Sequence, residues 1–120
     1  EWATWLSDVY TNRKYEASLA GLAGKMEPDA ILRRYTSTYA KNFTNFNNAR
    51  YDALIEEAKR TSNEAKQVEN YKEAQKILAD EQAAIFLMDP NTIIATEKGL
   101  EGFEFYPLPY FNFAKLYFKK

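Results

Sequence analysis

Apolar residues recur at helical spacing in three stretches of the chain. Trp2, Trp5, Leu6 and Val9 share one face of residues 2–10, and Asn12-Arg13 ends that amphipathic run. Tyr51, Leu54, Ile55 and Ala58 form a stripe over 49–60, with Asn48 placed to cap it. Ala65, Val68, Tyr71, Ala74, Gln75 and Leu78 make the inner face of a further helix over 64–82, and Thr61-Ser62-Asn63 separates the two. Glu56–Arg60, Glu69–Lys72 and Glu73–Lys76 sit three or four residues apart and solvate the outer faces. The spacing predicts two antiparallel helices joined by a short polar turn. Residues 15–23 (YEASLAGLA) read as a short buried strand, with Gly21 and Gly24 at its end, where the backbone turns or approaches something closely. Met26-Glu27-Pro28-Asp29 then turns the chain, and Asp29 is expected to cap a short helix over 30–35. Residues 36–48 are an Asn-rich loop carrying Tyr39, Phe43 and Phe46. Residues 85–88 read as a second buried strand, ended by Asp89-Pro90-Asn91, with a short β-rich run over 92–96. Gly99 and Gly102 lead into an aromatic and aliphatic tail, 103–118, interrupted by Pro107 and Pro109. The fold class expected is α+β, a two-helix hairpin packed on a small mixed sheet.

Composition narrows the function more by exclusion than by indication. The 120 residues include no histidine and no cysteine, which removes zinc fingers, Cys or Ser–His nucleophiles, haem attachment and disulfide frameworks. Sixteen Lys+Arg against seventeen Asp+Glu leave a net charge of −1, so no nucleic-acid partner is expected. Aromatic residues make up 16% of the chain, enough to supply a binding surface besides a core. No apolar run reaches the roughly 20 residues of a membrane span. The chain starts Glu1-Trp2-Ala3, without an initiator Met or a basic leader, which predicts a processed product or a piece of something longer.

Candidate chemistry is sparse. Glu27 and Asp29 flank a proline and could pair as glycosidase acids, but a turn acid and a helix cap explain them better. Glu56-Glu57 and Asp80-Glu81 are adjacent on helices and splay apart among basic partners. Asp89-Pro90-Asn91 lacks a metal-ligand spacing, and Gly21-x-x-Gly24 lacks the third glycine and lysine of a phosphate loop. Asn42-Phe43-Thr44 is a formal glycosylation sequon. No enzymatic activity, cofactor or metal is expected.

Three stretches, taken in order, resemble the C-terminal part of bacterial ABC-transporter solute-binding proteins, family 5, the oligopeptide/dipeptide/nickel type. They are Gly21-Leu22-Ala23-Gly24 with Pro28-Asp29; Asn45-Phe46-x-Asn48-x-x-Tyr51-Asp52-x-Leu54-Ile55; and Tyr71-x-x-Ala74-Gln75-x-Ile77-Leu78 through Glu81-Gln82-Ala83-Ala84-Ile85. The resemblance covers essentially the whole chain. It implies a type II periplasmic-binding lobe, with 1–102 a portion of the second ligand-binding lobe and 103–120 a segment returning to the first. It implies capture of a peptide or related small solute between two lobes, an ABC permease as partner, and a place in the periplasm or on the outer face of the membrane, as a lipoprotein in some members. Leu22, Ala23 and Gly24 would offer backbone to an extended ligand, as in β-augmentation, and Asn45 and Phe46 would lie near the cleft. Lys25 stands where peptide-binding members often carry an acid for the ligand's ammonium. That departure favours anionic, blocked or non-peptide solutes, or a role for Glu27 as the substitute acid. The nickel branch is disfavoured by the missing histidines. The alternative is a stand-alone helical-hairpin interaction module using its aromatic tail. Cut from a larger protein, that tail is also expected to drive homo-oligomerisation.

Overall fold

The computed structural model describes residues 1–106 and 110–119. They form two compact units, Glu1–Ile85 and Phe86–Lys120.

The first unit is helical. Helix α1 (Trp2–Thr4) runs into a π-helical stretch, Trp5–Thr11, closed by the Asn12 N–H donating to Ser7 O at 2.9 Å. Helix α2 (Pro28–Leu32) is followed by a 3₁₀ turn, Arg33–Tyr35. Helices α3 (Ala49–Arg60) and α4 (Glu64–Asp80) make the most extensive packing contact of the unit. Side chains tie both ends of this pair and set its direction. Gln67 Nε2, near the start of α4, donates to Ala58 O near the end of α3, at 2.9 Å. Asn48 Nδ2, before α3, donates to Glu81 Oε1, beyond α4, at 2.5 Å. The two helices therefore run antiparallel.

The core lies where α2, α3 and α4 meet. Tyr51, Leu54 and Ile55 are fully buried, with Leu32, Tyr35, Ala58, Tyr71, Ala74 and Leu78 around them. Burying each large side chain contributes about 1.5–3 kcal/mol. On α3 the stripe is the one the periodicity predicts. On α4 it is rotated: Ala65, Val68 and Gln75 are exposed, and Asn70 and Ile77 turn inward instead. Ala74 is fully buried in the core, and Gln67 is turned in to reach the α3 carbonyl. Those two demands fix the rotation.

Both helices are capped from within the sequence. Asn48 Oδ1 accepts the Tyr51 N–H at 2.8 Å, and Asn63 Oδ1 accepts the Lys66 N–H at 3.1 Å. Helix α4 stops two residues earlier than its pattern predicts. Gln82 adopts a left-handed φ of 51°, the Ala83 N–H returns to Leu78 O at 3.1 Å, and the Gln82 N–H returns to Ala79 O at 3.3 Å. This is a Schellman ending with glutamine where glycine is usual. Asp29 is not a cap either. Pro28 already occupies the first helical position, Glu27 is the N-cap, and Asp29 lies in the first turn, 3.8 Å from Arg33.

The sheet expectation is corrected. Residues 15–23 and 85–88 are not strands, nor are 92–96. A strand exists through its ladder, and among the described residues none lies beside these segments. Leu19, Ile85, Phe86, Leu87 and Met88 are exposed, so the expected burial is missing too. The sheet that does form belongs to the second unit and is antiparallel, not mixed. Strand β1 (Leu100–Glu101) pairs with β2 (Tyr117–Phe118), Leu100 opposite Phe118 and Glu101 opposite Tyr117. Gly102 follows β1 with φ 81°, and a β-carbon there would stand 1.9 Å from Lys115 O. The close approach of these two backbone segments thus requires glycine. Phe103 contacts Phe105 edge-on at 5.1 Å and Phe111 at 6.0 Å. Phe105, Phe113, Tyr117 and Phe118 are nevertheless largely exposed. Pro107, Leu108 and Pro109 lie outside the described residues.

Candidate functional site

The segment carrying four of the expected contact residues is held by the helix before it and the loop after it. Trp5 Nε1 donates to Ser18 Oγ at 3.0 Å, and the Tyr15 hydroxyl donates to Phe43 O. Between these anchors and α2 the chain has no regular secondary structure and is exposed. Leu22, Ala23, Gly24 and Lys25 are all exposed, and nothing lies within 4 Å of where a Gly24 β-carbon would be. Their main-chain groups are therefore accessible. Glu27 is exposed as well, so its carboxylate is open to solvent.

Asn45 and Phe46 are set by Asn42. That side chain is buried, with its amide nitrogen donating to Phe46 O at 2.9 Å, Thr36 O at 3.1 Å and Tyr35 O at 3.4 Å. Its Oδ1 accepts the Thr44 hydroxyl at 2.8 Å. Both sequon polar side chains thus build the loop, and the folded chain offers Asn42 to no modifying enzyme. Asn45 sits at the turn with φ 58° and is exposed. Asparagine tolerates this left-handed conformation better than most residues. Phe46 is half-buried, edge-on to Tyr51 at 5.5 Å, and packs on the core. Asp52, in the first turn of α3, accepts the Ser37 N–H at 3.0 Å and the Ser37 hydroxyl, fixing the start of the loop.

The structure also gathers residues that sequence spacing did not group. Trp2 and Trp5 stack nearly parallel at 5.2 Å, Tyr10 lies 5.7 Å from Trp5, and Phe43 closes on Trp5 edge-on at 5.7 Å. Together with Leu6, Leu19, Leu22 and Arg34, the two tryptophans and Tyr10 line an open cavity of about 370 Å³. Of the six expected contact residues only Leu22 faces it. The π-helical stretch is the reason Tyr10 joins: its wider turn brings side chains five apart onto one face, which a 3.6-residue periodicity separates. A larger depression, about 660 Å³, runs along the outer surface of α3 and α4. It is lined by Arg50, Lys72 and Lys76 with Glu69 and Glu73, and offers no single-sign field.

Exposed pairs such as Glu57 with Lys66 and Glu104 with Lys115 hold their carboxylates below the usual range by hydrogen bonding and charge, whereas in the core the shifts come from burial. Burial raises the Tyr35, Tyr51 and Tyr71 hydroxyls above the usual tyrosine range; Arg34 opposes the shift at Tyr35, and Tyr35, Asp52 and Asp29 add to it at Tyr51. Tyr51 donates to Leu32 O at 2.6 Å, so its proton is held structurally. Among the described residues no three His, Cys, Asp or Glu side chains converge to hold a metal ion.

No protein-family model matches the chain. Curated relatives do. The chain is 28% identical over 112 residues to the peptide transport periplasmic protein SapA of Haemophilus influenzae, covering 89% of this chain and 20% of that protein. It is 26% identical over 110 residues to the oligopeptide-binding protein AppA of Bacillus subtilis, with the same coverage. It is 32% identical over 63 residues to the probable D,D-dipeptide-binding periplasmic protein DdpA of Escherichia coli, covering 52% of this chain and 12% of that protein. The chain thus spans about a fifth of the length of the first two relatives. All three are named as binding or transport proteins, and none as an enzyme. The resemblance is borne out as far as similarity goes: over most of its length the chain is similar to proteins named for peptide transport or oligopeptide binding, and over about half of it to one named for dipeptide binding.

Proposed function

We propose that this chain is part of one wall of the binding cleft of a solute-binding protein, which captures a peptide or related small solute outside the cytoplasmic membrane and delivers it to an ABC permease. The observation that carries this reading is similarity over nearly nine-tenths of the chain to two peptide-handling proteins, one of them periplasmic by name. The stand-alone interaction module is not favoured beside it. In the proposed protein the α3–α4 pair belongs to a type II periplasmic-binding lobe, residues 1–102 form part of the second lobe, and 103–120 return to the first. The rings left exposed at Phe105, Phe113 and Phe118 are then covered by the rest of the longer protein.

Within that cleft the accessible backbone of Leu22, Ala23 and Gly24 pairs with an extended ligand, which reads main chain and leaves side-chain sequence free. Asn45 supplies an adaptable amide, and Phe46 an apolar wall steadied by Tyr51. Lys25 repels a ligand ammonium and attracts a carboxylate, while the exposed Glu27 is the acid left to meet an amine. The test is calorimetric titration of the full-length protein with one peptide in free and N-acetylated form. Loss of the amine preference in Glu27→Gln supports the assignment. An amine preference that survives the substitution places the ammonium site elsewhere, and absence of binding to every peptide length tried overturns the reading.

A further inference from the structure

Loop 36–46 is closed across its neck by one buried side chain. Asn42 is 4% exposed, and its Nδ2 donates to Thr36 O at 3.1 Å at one end of the loop and to Phe46 O at 2.9 Å at the other. Tyr35 O, at the end of the 3₁₀ turn after α2, lies 3.4 Å from the same nitrogen. The acceptor side is engaged too: the Phe46 N–H donates to Thr44 Oγ1 at 3.4 Å, and the Thr44 hydroxyl donates to Asn42 Oδ1 at 2.8 Å. An amide side chain has two donors and one carbonyl, so Asn42 is fully committed to this neck. Asn45, with its left-handed φ of 58°, lies between Thr44 and Phe46 and is held from both sides.

The residue between Asn42 and Thr44 reaches the other way. Phe43 O accepts the Tyr15 hydroxyl, and the Phe43 ring lies 5.7 Å from Trp5, whose Nε1 donates to Ser18 Oγ at 3.0 Å. Both bonds fix the segment that leads to residues 22–25. Residues 42–44 thus anchor the Asn45–Phe46 turn directly and the 22–25 segment through Phe43, all by contacts inside the helical unit. Compact loops with close ends, packed by their own side chains, commonly carry function. A wall held in its bound shape beforehand also spares the ligand the cost of ordering it.

We propose that Asn42 is a positioning residue for solute binding: its amide holds loop 36–46 in the shape that sets the Asn45–Phe46 turn and, through the Phe43 carbonyl and the Tyr15 hydroxyl, keeps the 22–25 segment in register with it. The proposal rests on the peptide-binding reading above and adds the residue through which the two contact stretches act together. Asn42 itself is buried and touches no ligand.

The test is calorimetric titration of the full-length protein with trialanine. Asn42→Asp keeps the side-chain shape and the oxygen facing Thr44 but removes the donors from the neck, and should weaken trialanine about tenfold. Tyr15→Phe removes only the bond to Phe43 O and should weaken it about threefold. The double variant should bind no worse than Asn42→Asp alone, because both changes act through Phe43. Thr44→Val perturbs the same neck more gently, so it gives the same direction of effect if Asn42→Asp does not fold, and Thr44→Ser should recover most of the loss. Ile55→Val weakens the core of the same unit away from the loop and should leave affinity unchanged. Losses that simply multiply in the double variant overturn the coupling, and a loss in Ile55→Val equal to that in Asn42→Asp reduces Asn42 to a general stabiliser and overturns its positioning role. Failure of the unsubstituted protein to bind trialanine counts against the peptide reading, and the coupling is then decided by nuclear magnetic resonance of the 120-residue chain. In Asn42→Asp or Thr44→Val the Trp5 indole N–H signal should move together with the Asn45 and Phe46 amides. Shifts at Asn45 and Phe46 with the Trp5 indole and residues 15–25 unmoved overturn the coupling whatever the ligand.

Discussion

Replacing Tyr51 by Phe isolates one hydrogen bond at the centre of the helical unit. The ring is fully buried and stays in place in the variant, keeping its edge-on contact with Phe46 at 5.5 Å. What is lost is the hydroxyl that donates to Leu32 O at 2.6 Å. Leu32 is the last residue of α2 and leads straight into the 3₁₀ turn Arg33–Tyr35, so this bond also ties the end of α2 to α3. Losing a buried donor costs the net worth of the bond plus part of the carbonyl's desolvation, about 1–2 kcal/mol. Ile55→Val, at an equally buried position on the same helix, removes one methyl group and no polar contact, and should cost about 0.5–1.5 kcal/mol. Alkaline stability separates the two variants. Buried tyrosines with raised pKa values contribute stability in full below the unfolded-state value near 10, and it declines as pH rises above that, because the unfolded chain releases those protons first. The assay is urea unfolding followed by helical circular dichroism at pH 7 and at pH 10.5, with slopes compared to confirm that the same surface is exposed. Tyr51→Phe should lose midpoint at pH 7 yet show a smaller further loss at pH 10.5 than the parent chain, whereas Ile55→Val should show the parent's pH dependence. A Tyr51→Phe chain as stable as the parent at pH 7, with unchanged alkaline behaviour, would refute the assignment of this hydroxyl.

The remaining predictions concern the helix ends and the second unit. Asn48→Ala removes the cap on α3 and the link to Glu81, and should cost about 1 kcal/mol in the same urea assay. Gln82→Gly relieves a left-handed φ at the end of α4 and should stabilise the helical unit by about 0.5–1 kcal/mol; a neutral or destabilising result would mean the glutamine makes up for the strain by other means. Gly102→Ala sets a methyl group into Lys115 O and should break the β1–β2 pairing. Amide exchange at Lys119, whose N–H donates to Gly99 O, should then accelerate while the α3 and α4 amides keep their protection.

What the sequence made legible, and what it hid, follows from where the determining contacts lie. Helix α3 was readable because its signals are local: a capping asparagine and an apolar stripe on one face agree with each other. The end of α4 was not, because the residue that turns the chain is Gln82, and a left-handed glutamine carries no signature of its own. The rotation of α4 was hidden for a different reason: Val68 is apolar yet exposed, whereas Gln67 faces inward to cap the neighbouring helix, so polarity there records a tertiary contact and not solvent. Residues 15–23 and 85–88 show the limit most plainly. Their composition suits strands, but strand structure is a property of a pair, and β-propensity measures fit to neighbours that must be present. The aromatic cavity fails the periodicity test at Tyr10, where the helix widens, and Arg34 reaches it from a segment more than twenty residues away. A site assembled by such a change of helical pitch leaves only composition as its trace. The unusual density of aromatic residues was therefore the earliest sign of it, and the placement of both tryptophans on one cavity is the sense that composition takes once the chain is folded.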